Sequence, residues 1–303
     1  MSYDESPQPA RRRFGRRPLT VAVAALVPTG LAGWLVWQGL GGSDGAGASA
    51  ATAGSAPAAS APASPTAPGD GAPGGAGPAG PLAGKVVVID PGHNPRNRDH
   101  TAEINETVDI GTATKECDTT GTATRSGYAE ADFTLDVSRR LRTLLTREGA
   151  TVTFTQDDDR PYGPCVDERA RIGNKAKADA VVSVHADGSA AGNRGFHVIL
   201  PALVKGGAAD TAAIVGPSRA LGERIVADFR RETGTAPANY LGGGTGLDVR
   251  DDLGGLNLST VPKVFLECGN MQDSADAALL SDAEWREKAA RGLAAGISGF
   301  LEK

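Results

Sequence analysis

Lys85-Val86-Val87-Val88-Ile89-Asp90-Pro91-Gly92-His93 is the stretch whose reading decides the fold. Its four consecutive β-favouring apolar residues predict a strand buried on both faces. Asp90-Pro91-Gly92 then stops the strand, because proline fixes φ and glycine frees it. The next side chain, His93, stands at the carboxyl end of a strand, where open α/β sheets bind their ligands. Two further runs end in the same manner. Ala180-Val181-Val182-Ser183-Val184 leads to His185, and Lys263-Val264-Phe265-Leu266 leads to Glu267. Three groups able to hold a metal or a proton, each at a strand end, form the pattern of a site.

Working outward, composition divides the 303 residues unequally. Residues 41–84 are almost entirely Gly, Ala, Ser, Pro and Thr. Such a segment cannot bury enough apolar surface to offset its ordering entropy, so it reads as a disordered linker. A flexible chain of that length has a root-mean-square span of roughly 35 Å. Residues 85–303 suit one domain with a sizeable core. The net charge is −5 and no Lys/Arg block lies beyond the N-terminus, which excludes nucleic acid as an expected partner.

The N-terminus carries its own message. Residues 1–17 form a basic segment with Arg11, Arg12, Arg13, Arg16 and Arg17, and residues 18–40 are uncharged. That run is long enough to cross a hydrocarbon core of roughly 30 Å, with the basic side left in the cytoplasm. A transmembrane signal-anchor is one reading. A signal peptide is the other, with Ala46-Gly47-Ala48 a small-residue cleavage site, although its apolar core usually spans only about 7–15 residues. Arg11-Arg12-Arg13-Phe14 also faintly resembles a twin-arginine export signal. Under each reading the domain is exported.

Export favours oxidation of paired thiols. Cys117 and Cys165 both lie in Gly/Pro-containing loop sequence, whereas Cys268 follows Glu267 at a strand end, so the expected disulfide is Cys117–Cys165. It would pin the long irregular segment from Asn94 to Tyr128, whose length marks it as functional or disordered. Glu130 then opens a helix with Phe133, Val137, Leu141, Leu144 and Leu145 on one face. A strand follows at Thr151–Thr155, a helix over about 167–177, a strand over 195–200 and a helix around Leu221, Ile225 and Phe229. Residues 240–258 read as a glycine-rich loop containing Arg250. Ser281-Asp282-Ala283-Glu284 is a capping-box pattern before a last helix. Strands alternating with helices predict an α/β single domain, its mostly parallel or mixed central sheet flanked by helices on both faces.

The strand ends suggest zinc chemistry. A catalytic zinc typically has three protein ligands and an open position for water. His93 and His185 supply two imidazoles, and Glu130, following the loop, supplies a carboxylate able to swing over both strand ends. Glu267 is then a base rather than a ligand, since zinc brings the pKa of water near 7 and an adjacent carboxylate takes its proton. Singly, each assignment is weak. A lone histidine is more often structural, and a glutamate opening a helix is favourable against the macrodipole alone. Glu267 is harder to explain blandly, because a carboxylate after Val-Phe-Leu in a buried strand is costly unless used or paired. His100, in the irregular loop, and His197, inside a strand, are the rival imidazoles.

Five segments occur together in order: IDPGH at Ile89–His93, YAEADFTLDVSRRL from Tyr128, VDERARIGN from Val166, SVHAD at Ser183–Asp187 and VFLECGN at Val264–Asn270. The set resembles the zinc-dependent N-acetylmuramoyl-L-alanine amidases, in particular the minimal exported type of actinobacteria, and the resemblance spans about Val86 to Leu301. It implies a peptidoglycan hydrolase cleaving the amide between N-acetylmuramic acid and L-alanine. His93, Glu130 and His185 match the family's ligands for Zn2+, and Glu267 its catalytic glutamate. Arg250, Arg169 and Asn174 match recurrent polar positions. Arg250, Asn94 and His197 are the expected substrate-contacting residues. Many relatives have His-Gly-Gly where this chain has His93-Asn94, and Asn at Asp187, departures that bear on substrate preference. The expected setting is the outer side of the cell membrane facing the wall, or secretion after cleavage, as a monomer. The competing function is a non-catalytic peptidoglycan-binding or regulatory module, which would have no need of Glu267.

Overall fold

The computed structural model describes residues 80–302, so the basic segment, the apolar run 18–40 and the linker up to residue 79 lie outside the described residues. Among the described residues no helix is long and apolar enough to cross a membrane. The chain runs through β1 (Val86–Pro91), α1 (Thr101–Ile104), β2 (Thr107–Asp109), β3 (Thr114–Glu116), α2 (Glu130–Arg147), β4 (Thr151–Phe154), α3 (Val166–Ala176) and β5 (Ala180–Asp187). It continues through β6 (His197–Pro201), β7 (Lys205–Gly206), β8 (Ala209–Asp210), α4 (Val215–Thr233), β9 (Leu247–Arg250), α5 (Gly254–Asn257), β10 (Lys263–Asn270), α6 (Ser274–Ser281) and α7 (Ala283–Leu301).

Six strands form the central sheet in the order β4-β1-β5-β10-β6-β9. All neighbours are parallel except β10 and β6, which makes the sheet mixed, as expected. Because strand side chains alternate between faces, the sheet has two unlike sides. On one, Val87, Ile89, Val182, Val184, Val264 and Leu266 join Phe133, Val137 and Leu141 of α2, Leu221 and Ile225 of α4, and Leu293 and Ile297 of α7 in one apolar core. On the other, α3 and α5 cover a much smaller apolar cluster centred on Val88, Ala178 and Val181.

Several boundaries differ from the sequence reading, each for a physical reason. Leu82, assigned by composition to the linker, is fully buried in the main core, and its N–H donates to Glu148 O at 2.9 Å. One leucine with a core to enter outweighs the disorder of its neighbours. The 240–258 segment is not all loop: Leu247–Arg250 pairs with β6 as an edge strand. Its alternation was masked by the flanking glycines. The last helix is capped one residue later than the box suggested, by Asp282 accepting from Trp285 N at 2.7 Å, because Ser281 closes α6. The 94–128 segment holds α1 and the β2–β3 hairpin, anchored by the Cys117–Cys165 disulfide, while Cys268 is free and buried.

Candidate active site

β1 and β5 run side by side, with Asp90 beside Ser183. Their continuation brings His93 next to His185. The chain leaves β1 at Gly92, where a Cβ would fall 2.3 Å from the His185 ring, so only glycine lets the two imidazoles approach. They meet edge to face, with ring centroids 5.0 Å apart. His93 adopts a left-handed φ of 60°, which disfavours any residue with a Cβ. Arg169 Nη2 and Gln156 Nε2 hold it there, donating to its carbonyl at 2.9 and 3.1 Å. Facing the pair is Gly121, where a Cβ would come 2.7 Å from the His93 ring and 2.8 Å from Glu130 Oε2.

Glu130 opens α2, and the helix aims its carboxylate into the gap. Oε1 lies 3.1 Å from His93 Nε2 and 3.0 Å from His185 Nδ1. It also accepts from Ala186 N, while Oε2 accepts from Thr122 N at 2.9 Å. One ligand atom from each of His93, Glu130 and His185 lies within 4.8 Å of the others, a grouping able to hold a metal ion. His93 Nδ1 sits 3.1 Å from Thr119 O. A carbonyl only accepts, so Nδ1 carries hydrogen, which leaves Nε2, now facing the Glu130 carboxylate, as the nitrogen that would give its lone pair to a metal. Burial opposes charge on His93, but Glu130 and Asp118 outweigh it and hold its pKa well above the ordinary imidazole value. The negative potential that favours a proton there favours a metal cation equally. Two imidazoles and a carboxylate at the edge of an open groove fit a catalytic zinc.

Glu267 stands on β10 beside His185 in register, and on the same face two residues away Phe265 stacks on the His185 ring at 5.2 Å. Neither His185 nor Glu267 ends its strand, contrary to expectation. β5 runs on to Asp187 and β10 to Asn270. Glu267 lines a groove of about 410 Å3 with His93, Thr122, Glu130, His185 and Asp187. Burial first, then the charges of Glu130 and Asp187, push its carboxyl well above the usual range.

Beneath these groups lies an ionised cluster that the sequence reading missed. Arg169 uses all five of its N–H donors, on Pro164 O, Asp90 Oδ1, Pro91 O, His93 O and Asp118 Oδ2. Asp90 also accepts from Thr155 Oγ1, Ser183 Oγ and the fully buried Lys263 Nζ. Its carboxyl lies far below the aspartate range because Lys263 and Arg169 overcome the opposing effect of burial. Asp118, 3.5 Å from His93 Nδ1, is likewise lowered to about 2, its burial outweighed chiefly by Arg169. A usable signal was present in Lys263, which shares a period-two face with Phe265 and Glu267 inside an apolar run.

The other candidates have different surroundings. Asn94 does not face the groove. It is buried, donates to Gly163 O at 3.0 Å and accepts from Arg96 N, which makes it a brace for the 160–163 loop. Arg250 forks onto Asp252 at 2.7 and 2.8 Å, and its charge reaches Glu267. His197 is buried directly across the ladder from Glu267. Asn174 ties α3 to Leu258 O and Thr260 N, and His100 pairs with Glu103.

Two strands, the turn after β1 and the start of α2 bring two histidines and two glutamates to one open groove, an arrangement that fits a metal-dependent hydrolase. Residues 87–299 match the N-acetylmuramoyl-L-alanine amidase family model, and the chain belongs to that family. It is 44% identical over 221 residues to the N-acetylmuramoyl-L-alanine amidase Rv3717 of Mycobacterium tuberculosis, covering 73% of this chain and 88% of that one. The crystal structure of the amidase Ami1 from Mycobacterium smegmatis superposes with a TM-score of 0.67 at 41% identity, over 73% of this chain and 98% of that one. Apo Ami1 from Mycobacterium abscessus gives a TM-score of 0.67 at 40% identity, over 73% and 100%.

Proposed function

We propose that this chain is a zinc-dependent N-acetylmuramoyl-L-alanine amidase, hydrolysing the amide that joins the lactyl group of N-acetylmuramic acid to the L-alanine of the stem peptide. The observation that carries the reading is the meeting of His93, Glu130 and His185 within 4.8 Å beside a carboxyl, Glu267, that makes no hydrogen bond at Oε2. The three would hold zinc. When bound, zinc supplies positive charge that polarises the scissile carbonyl, acidifies a water and offsets the repulsion keeping Glu267 protonated. Glu267 takes the proton of the attacking water and passes it to the departing amine of L-alanine. Thr119 O and Asp118 fix the His93 ring, and Arg169 fixes the backbone that presents it. Arg250 favours the ionised form of Glu267 and is the remaining candidate for a polar contact with substrate.

The rest of the assignment follows the same reading. The partner is peptidoglycan, reached outside the cell by a monomer whose residues 18–40 anchor it in the membrane or are removed on export. Mass analysis of muropeptides digested with the chain tests the reaction. The expected products carry a free lactyl carboxylate and a stem peptide beginning at L-alanine, with activity lost to a chelator and regained with zinc. Cuts within the stem peptide, or full activity in a preparation without metal, would overturn it.

A further inference from the structure

Two polar atoms beside the groove are sealed from solvent and have no hydrogen-bond partner among the described residues: Oε2 of Glu267 and Nδ1 of His197. Native structures leave few such atoms, and each calls for an explanation. These two belong to residues directly opposite each other in the antiparallel β10–β6 ladder. Residues so paired point to one face, with Cβ atoms roughly 4.5–5.5 Å apart.

Two carboxylates, Asp187 and Asp248, act on the charge of His197, but neither lies within hydrogen-bond reach of Nδ1. Tyr240, whose ring meets the imidazole edge to face at 5.9 Å, donates its hydroxyl to Asp187 Oδ2 at 2.6 Å. Arg250 is held by Asp252 and, like every guanidinium, cannot accept. Substrate cannot serve a sealed nitrogen either, which removes the expected substrate contact at Nδ1. Burial lowers the His197 pKa, so the ring is neutral and carries one N–H; with that hydrogen on Nδ1, the missing partner is an acceptor. Glu267 is half-buried, with one oxygen sealed and the carboxyl otherwise lining the groove.

We propose that His197 is a positioning residue for the amidase reaction: the two side chains are not bonded in this structure, and a turn of the Glu267 carboxyl as it ionises would let Nδ1–H donate to Oε2 and hold Oε1 toward the groove, where the proton is exchanged. The inference rests on the amidase reading given above. The bond would give the sealed side of the carboxylate a partner in its ionised form and leave a single oxygen free for chemistry.

The test compares His197→Phe, His197→Asn and His197→Gln in the intact, zinc-loaded chain acting on muropeptide. Asparagine places its amide nitrogen near the position of Nδ1, glutamine near that of Nε2. His197→Phe is expected to lower kcat on the order of 10–100-fold, as losing an outer partner of a catalytic group does, with KM little changed. His197→Asn should recover most of kcat and His197→Gln should not. Nitrogen-15 spectra of the metal-free wild type should show His197 as the Nδ1–H tautomer. A folded His197→Phe with wild-type kcat, a raised KM at constant kcat, equal rescue by Gln, or an Nε2–H tautomer would each overturn the proposal. If His197→Phe does not fold, the Asn/Gln pair and the tautomer still decide. If the wild type cleaves no muropeptide, the amidase reading fails, while the tautomer still reports on the pairing.

Discussion

The two faces of the central sheet are built from the same strands by opposite rules. On the face toward α2, α4 and α7, successive inward residues of β1, β5 and β10 are aliphatic and fully buried. On the face toward α3 and α5, the same strands carry Asp90, Ser183, His185, Lys263 and Glu267, with Phe265 between them. The first face holds the fold together by burial, at about 25 cal/mol per Å2 of apolar area. The second keeps charge in place by setting Arg169 and Lys263 against Asp90 and Asp118, a costly arrangement that suits a site needing fixed groups in a low-dielectric setting. A cost accepted on one side of a sheet is tolerable because the other side is plain core.

The comparison can be broken in three places, taken from the largest expected effect to the smallest. Asp90→Asn keeps the shape but leaves Lys263 buried without its counter-charge and Arg169 with Asp118 alone. Removing one partner of a buried ionic cluster is expected to cost about 3–5 kcal/mol, read as a lowered denaturant midpoint. A midpoint shift under 1 kcal/mol would mean the cluster is more hydrated than its burial indicates. On the aliphatic face, Leu266→Ala should cost about 2–5 kcal/mol through lost transfer energy and a cavity. It should also leave metal content unchanged, whereas a loss of metal there would tie the two faces together. The smallest effect is one of pH. Asp118 has its folded pKa lowered to about 2, so its contribution is complete above the ordinary aspartate value of about 3.9 and disappears as pH falls through about 2. The shift corresponds to about 2 kcal/mol, and urea melts at stepped acid pH should show it in the wild type and not in Asp118→Asn.

The same contrast explains what could be read in advance. The aliphatic face is visible in Val86–Ile89, in Val181–Val184 and in the spacing of Phe133, Val137 and Leu141, because hydrophobic periodicity is a local signal. His93, Glu130, His185 and Glu267 could be grouped because three of them adjoin strand runs and the fourth opens a helix. The ionised face was hidden, since Asp90 and Lys263 are 173 residues apart in the chain and only the register of β1, β5 and β10 brings them together. Asn94 misled for the same reason: its neighbour in sequence is His93, but its partner is the 160–163 loop. Leu82 was lost in a low-complexity context, where a single core residue has no period to announce it.

The central claim, that Glu267 moves the proton while His93, Glu130 and His185 hold the metal, is tested most directly by measuring zinc content and muropeptide cleavage together in Glu267→Gln. The amide is nearly isosteric and cannot take a proton. Zinc content equal to wild type with cleavage reduced on the order of 10²–10⁴-fold is the predicted result, while His185→Ala should lose both. Zinc lost from Glu267→Gln as from His185→Ala would make Glu267 a ligand, and near-wild-type cleavage would remove it from the chemistry.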